Sequence, residues 1–163
     1  MVSVVGDAGV GKTRLWKEFL ELARERAVVG AGRCLPYGDG IIFWPIVEIV
    51  RVAAGMRETD KPAKAIRKIR RLVGDKAVVD RVAAAVGLRD APFQVGELFW
   101  GIRRFLEILA AGKPLVVVFD DIQWAESTFL DLLGHLTANV QDGPILILCM
   151  ARNALLEKQP AWG

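Results

Sequence analysis

The octet Gly6-Asp-Ala-Gly-Val-Gly-Lys-Thr13 constrains this chain more than any other feature, because of what flanks it. A short β-branched run, Val2 to Val5, leads in, and a helical pattern leads out. The octet fits G-x-x-x-x-G-K-[ST], in which glycines let the backbone curl around phosphate oxygens with N–H groups pointing inward. The following helix aims its positive N-terminal end at the same anion. Gly6, Asp7, Ala8, Gly9, Val10, Gly11, Lys12, Thr13 and Arg14 are therefore candidate nucleotide-binding residues. Lys12 can reach the β- and γ-phosphates, and Thr13 offers a hydroxyl to Mg²⁺.

Beyond the octet the chain alternates between two periodicities. Leu15, Trp16, Phe19, Leu20 and Ala23 are expected to share one face of the first helix. Val28 to Cys34 reads as a strand, and Pro45 suits the first position of a helix running to about Ala54. Residues 61–111 read as helical, with breaks near Gly74, Gly87 and Pro92. The last of these helices puts Leu98, Ile102, Phe105, Leu106 and Leu109 on one face. A strand to Phe119, a helix from Ser127 to about Ala138 and a strand from Ile145 to Met150 complete the pattern. Strands alternating with helices imply an α/β, three-layer fold, a parallel sheet with helices on both faces. One domain over residues 1–163 is expected, with a helical insert at about 57–97.

Composition narrows the class. Hydrophobic residues make up 53% of the 163 and the net charge is +3, too mild to argue for a partner. No apolar run approaches the roughly 20 residues that span a bilayer. The first residues lead directly into the glycine-rich loop rather than through a secretory leader, so a cytoplasmic setting is expected. Cys34 and Cys149 form no metal-type pair and are expected to be reduced thiols.

The stretch Leu115-Val-Val-Val-Phe-Asp-Asp121 ends an oily run on two adjacent carboxylates. A buried carboxylate needs compensation. A phosphate loop needs an acid on a neighbouring strand to hold Mg²⁺, and Asp120 has that position. Asp121 can then act on an attacking water as general base or orienting group. No N-K-x-D stretch is present to select guanine, so ATP is the expected nucleotide.

These residues carry a resemblance. "GDAGVGKTRL", "GRCLPYGDGIIFWPIVEIV", "GELFWGIRRFLEILA", "PLVVVFDDIQWAESTFLDLLGHL" and "PILILCMARNALLEKQPAWG" resemble the P-loop ATPase module, AAA- or STAND-type, of bacterial signalling proteins. In those proteins the module accompanies class III adenylate/guanylate cyclase domains, or helical repeats and a DNA-binding tail in LuxR-type regulators. Residues 57–91 match most loosely. The resemblance implies a P-loop NTPase sheet with the Ile145 strand between the phosphate-loop strand and the Asp120 strand. It implies that Arg152, just past that strand, senses the γ-phosphate. The family pattern after this arginine runs Pro-Glu-Leu-Leu, whereas here Asn153-Ala-Leu-Leu156 stands. The resemblance further implies a truncated module, lacking an upstream segment against the base, a fifth strand and C-terminal helical domains. A first strand with one unpaired edge and weak nucleotide affinity would follow. Its other implied partners are the flanking domains of the same polypeptide and further copies of the chain, with no membrane. Slow ATP hydrolysis used as a regulatory switch is one expected function. A non-hydrolysing nucleotide-binding interaction module is the other.

Several other features have plain expectations. The stretch Lys61 to Arg71, "KPAKAIRKIRR", is expected to be a solvated amphipathic helix with Ile66, Ile69 and Leu72 inward, and no nucleic-acid contact is expected from it. His135 is expected to be a plain helix residue. Tyr37 and Asp39 could form a lid or partner surface, and Trp44 is expected to pack.

Overall fold

The structure, a computed structural model, describes residues 1–36 and 42–162. Tyr37 and Asp39 lie outside the described residues. The described residues form four strands: β1 (Val2–Val5), β2 (Val28–Arg33), β3 (Leu115–Asp120) and β4 (Ile145–Ala151). The helices are α1 (Lys12–Ala23), α2 (Trp44–Ala53), α3 (Pro62–Val73), α4 (Lys76–Ala85), α5 (Val95–Ala110), α6 (Ser127–Asn139) and a short α7 (Ala154–Lys158).

The strands form one parallel sheet in the order β1-β4-β3-β2. β4 thus lies between the phosphate-loop strand and the Asp120 strand, as the resemblance implies. β3 is central, and all six of its residues are buried. That is why it reads as an unbroken apolar run rather than an alternating one. Val116 and Val118 face one side with Leu20 and Met150. Leu115, Val117 and Phe119 join the larger cluster containing Ile46, Ile49, Phe105 and Leu132. Among the described residues, the outer edge of β1 has no strand partner.

Two glycines let α2 sit close on β2. A Cβ on Gly32 would stand 2.1 Å from the backbone oxygen of Pro45, and one on Gly30 would stand 3.2 Å from Ile49 Cγ2. The Glu48 carboxylate accepts a 2.6 Å bond from the Arg33 N–H. This contact fixes α2 where β2 runs out.

The first helix departs from expectation. Its packed stripe is Trp16, Leu20 and Ala23, which join the smaller cluster. Leu15 and Phe19 are 57% and 38% exposed, next to Leu22 at 79%. Residues four and seven apart stack along one helix line, so Trp16 and Leu15 head separate stripes. Only the Trp16 stripe meets the sheet. In α3 the fully buried residues are Ala65 and Ile69, while Leu72 lies outside. A 3₁₀ turn over Ile122–Trp124, unexpected from the sequence, follows β3. Asn153-Ala-Leu-Leu156, in place of the proline-containing pattern, starts α7.

Candidate functional site

The site gathers at the C-terminal ends of the strands, where ligands of open parallel sheets bind. Gly9 and Gly11 take φ of 84° and 98°, the left-handed region that favours glycine. That curvature turns the chain from β1 into α1. The ammonium of Lys12 donates to the backbone oxygens of Gly6 at 2.6 Å and Asp7 at 2.8 Å, so it stays folded over its own loop. The Gly6 N–H donates to the Ala151 oxygen at 3.2 Å, and Asn153 Nδ2 donates to Asp7 Oδ1 at 2.8 Å. The loop is thus pinned from the β4 end. Val10 is exposed, and Arg14 is exposed and paired with Glu18 at 2.7 Å.

Asp120 stands across from the loop, 9% exposed. Its Oδ2 accepts from Thr13 Oγ1 at 3.5 Å and from Trp16 Nε1 at 3.2 Å, and its Oδ1 accepts from the Asp121 N–H at 3.0 Å. Thr13, Trp16, Lys17, Gly32, Arg33, Glu48 and Asp120 border a cleft of about 270 Å³. Among the described residues, no group of three or more His, Cys, Asp or Glu side chains could hold a metal ion. One hydroxyl and one carboxylate suit Mg²⁺, which keeps several waters and is completed by substrate phosphates. The donor set therefore fits that cation.

Asp121 adopts φ 56°, a left-handed conformation rare outside glycine. Arg33 donates to its Oδ2 through Nε at 2.8 Å and Nη2 at 2.6 Å. Gln123 Nε2 donates to its Oδ1 at 2.9 Å. Burial pushes the Asp121 carboxyl up, but the bonds from Gln123 and Arg33, with the Arg33 and Arg152 charges, outweigh it and hold it below the usual carboxylate range. Gln123, only 3% exposed, also accepts from the Arg152 N–H at 3.0 Å. It thereby joins the ends of β3 and β4. The structure puts Thr13 within 3.5 Å of Asp120, with Asp121 next in the chain, and Lys12 is folded over its own loop. Arg152 sits just past β4 with an exposed side chain.

Sequence reasoning missed Trp16, Arg33, Gln123 and Asn153 as site residues. Arg33 and Gln123 lay inside stretches that carried the resemblance, "GRCLPYGDG" and "FDDIQWAE", but no general motif separates them from their neighbours.

With this geometry in place, comparison with known proteins defines the class. The chain matches the AAA ATPase domain family over residues 1–148 and belongs to that family. The family is one of nucleotide-binding ATPase domains. The chain is also 30% identical to an uncharacterized protein of Rhizobium meliloti (strain 1021), over 165 aligned residues that cover 93% of this chain. It spans 16% of that relative's length. No solved structure matches the chain.

Proposed function

We propose that this domain binds ATP with Mg²⁺ and hydrolyses it slowly, as a regulatory switch within a larger signalling protein. Lys12 and the amides of residues 6–14 bind the phosphates. Thr13 and Asp120 hold the metal, which when bound neutralises charge on the phosphate oxygens. Asp121 orients or deprotonates the attacking water, and Arg152 reads the γ-phosphate. The observation that carries this reading is the approach of Thr13 Oγ1 to Asp120 Oδ2, 3.5 Å across 107 positions of sequence. A hydroxyl at the head of the phosphate-loop helix meets a carboxylate at the end of β3, two strands away, which is the pairing a nucleotide-bound cation requires.

One observation favours the second reading, a nucleotide-binding interaction module with no turnover. Both oxygens of Asp121 are taken, by Arg33 and by Gln123. Arg33 fills Oδ2 with two bonds and Gln123 takes one of the two lone pairs of Oδ1, so much of the charge that would polarise a water is spent on protein donors. Phosphate release and ATP binding, measured side by side on the protein, separate the readings. Lys12→Ala is expected to abolish ATP binding. Asp121→Asn is expected to leave binding intact and to slow phosphate release by about 100-fold or more, the usual scale for a lost proton acceptor. An unchanged release rate in Asp121→Asn removes Asp121 from the chemistry, and ATP binding by the parent without phosphate release leaves the interaction module.

A further inference from the structure

The indole of Trp16 does more than its packing requires. Its ring joins the apolar cluster of Leu20, Val116, Val118 and Met150, a place that phenylalanine or leucine could fill. Yet its Nε1–H is aimed at Asp120 Oδ2, 3.2 Å away. Trp16 lies three positions after Thr13, so both side chains project from one face of α1 toward the same oxygen. Lys17 Nζ stands 5.7 Å from the Trp16 ring centroid, a further contact that holds the indole plane.

We infer that Trp16 is a positioning residue for the metal-holding carboxylate, fixing Asp120 Oδ2 so that Asp120 turns a constant face to the divalent cation. This rests on the nucleotide and metal reading above. The three donors to Asp120 differ in what they can give up. The Asp121 N–H belongs to the backbone and stays. The Thr13 hydroxyl can rotate and turn an oxygen lone pair toward the cleft, and it then no longer donates to Oδ2. The indole has one donor and no acceptor, so it cannot ligate a cation, and its ring is packed against the apolar cluster. Of the two side chains on Oδ2, Trp16 is the one that still holds the carboxylate when Thr13 turns to the metal. Partners that orient a ligating carboxylate in this way are worth about 10-fold or more in metal affinity.

The experiment uses the protein with ATP and Mn²⁺ as the probe cation. Free Mn²⁺ is followed by electron paramagnetic resonance, and metal-free ATP binding is measured separately in chelator. For Trp16→Phe, Mn²⁺ affinity in the presence of ATP is expected to fall about 10-fold, with metal-free ATP affinity within about two-fold of the parent. A folded Trp16→Phe protein with unchanged Mn²⁺ affinity overturns the inference. Equal losses with and without metal also overturn it, since they mark a merely structural role. If Trp16→Phe does not fold, the parent's five indole N–H resonances decide. The one that Mn²⁺ broadens first should move upfield in Asp120→Asn, and a resonance that stays put refutes the bond. A parent that binds neither ATP nor Mn²⁺ overturns the nucleotide reading itself. Binding by the parent with no effect of Trp16→Phe overturns only the role of Trp16.

Discussion

At the scale of single residues, the site is organised by polar groups that have no spare partners. Gln123 is the clearest case. Its amide nitrogen donates to Asp121 Oδ1 at 2.9 Å and its amide oxygen accepts from the Arg152 N–H at 3.0 Å. The side chain is buried, and an apolar one in its place offers neither bond. Replacing Gln123 with leucine keeps most of the volume but strands an N–H and a carboxylate oxygen. Each unsatisfied buried group costs about 1–3 kcal/mol. Gln123→Leu is therefore expected to destabilise the fold by about 2–4 kcal/mol, read as a lowered urea midpoint with an unchanged slope. A midpoint within error of the parent's would show that Gln123 holds nothing the fold needs.

At the scale of elements, the approach of α2 to β2 sets the far wall of the cleft. Gly32 allows that approach only because it has no side chain, and the atom in the way of a Cβ is backbone, the Pro45 carbonyl oxygen, not the tip of a flexible chain. Relief would require moving α2 as a body. Overpacking of this kind costs typically about 1–3 kcal/mol and occasionally more. Gly32→Ala is expected at the upper end or beyond, about 3 kcal/mol, by urea denaturation. Gly30→Ala meets only the Ile49 side chain at 3.2 Å and is expected to cost less. Equal costs at the two positions would mean that α2 is free to shift. The elements themselves were largely legible in the sequence. The β3 run, the α5 face and the breaks at Gly74 and Gly87 depend on local pattern and backbone preference, which a sequence carries directly. The face of α1 was not legible in full. Leu15, Phe19 and Leu22 are as apolar as the residues that pack, and tertiary placement alone decides which stripe meets the sheet. The 3₁₀ turn and α7 were missed for a related reason, being too short for periodicity to register.

At the scale of the whole molecule, the parallel order that brings Thr13 to Asp120 also seals both thiols inside. Lys12, Thr13, Asp120 and Asp121 could be picked out from the sequence because each stands at a fixed place in a local motif, the glycine-rich loop or the end of an apolar run. Arg33, Gln123 and Trp16 could not, because their roles exist only once β2, β3 and α1 converge. The cysteines follow the same logic. Cys34 follows β2, Cys149 lies on β4, and β3 separates those strands. Both are free and buried, and burial pushes each thiol up to about 12. An unfolded cysteine titrates near about 8.5, so between about pH 9 and 12 the folded chain keeps protons that the unfolded chain releases. The sign is fixed: stability supplied by these protonated thiols is whole below about pH 8.5 and declines as pH rises toward 12. Labelling with a thiol reagent at about pH 8 should therefore be slow in native protein, since neither thiolate nor access is available. Raising urea through the unfolding transition should release both cysteines together, at the rate of global opening. Rapid native labelling of Cys34 alone would show that the segment after β2 opens independently of the sheet. Rapid labelling of Cys149 would contradict the order β1-β4-β3-β2, because that residue lies on the strand enclosed between β1 and β3.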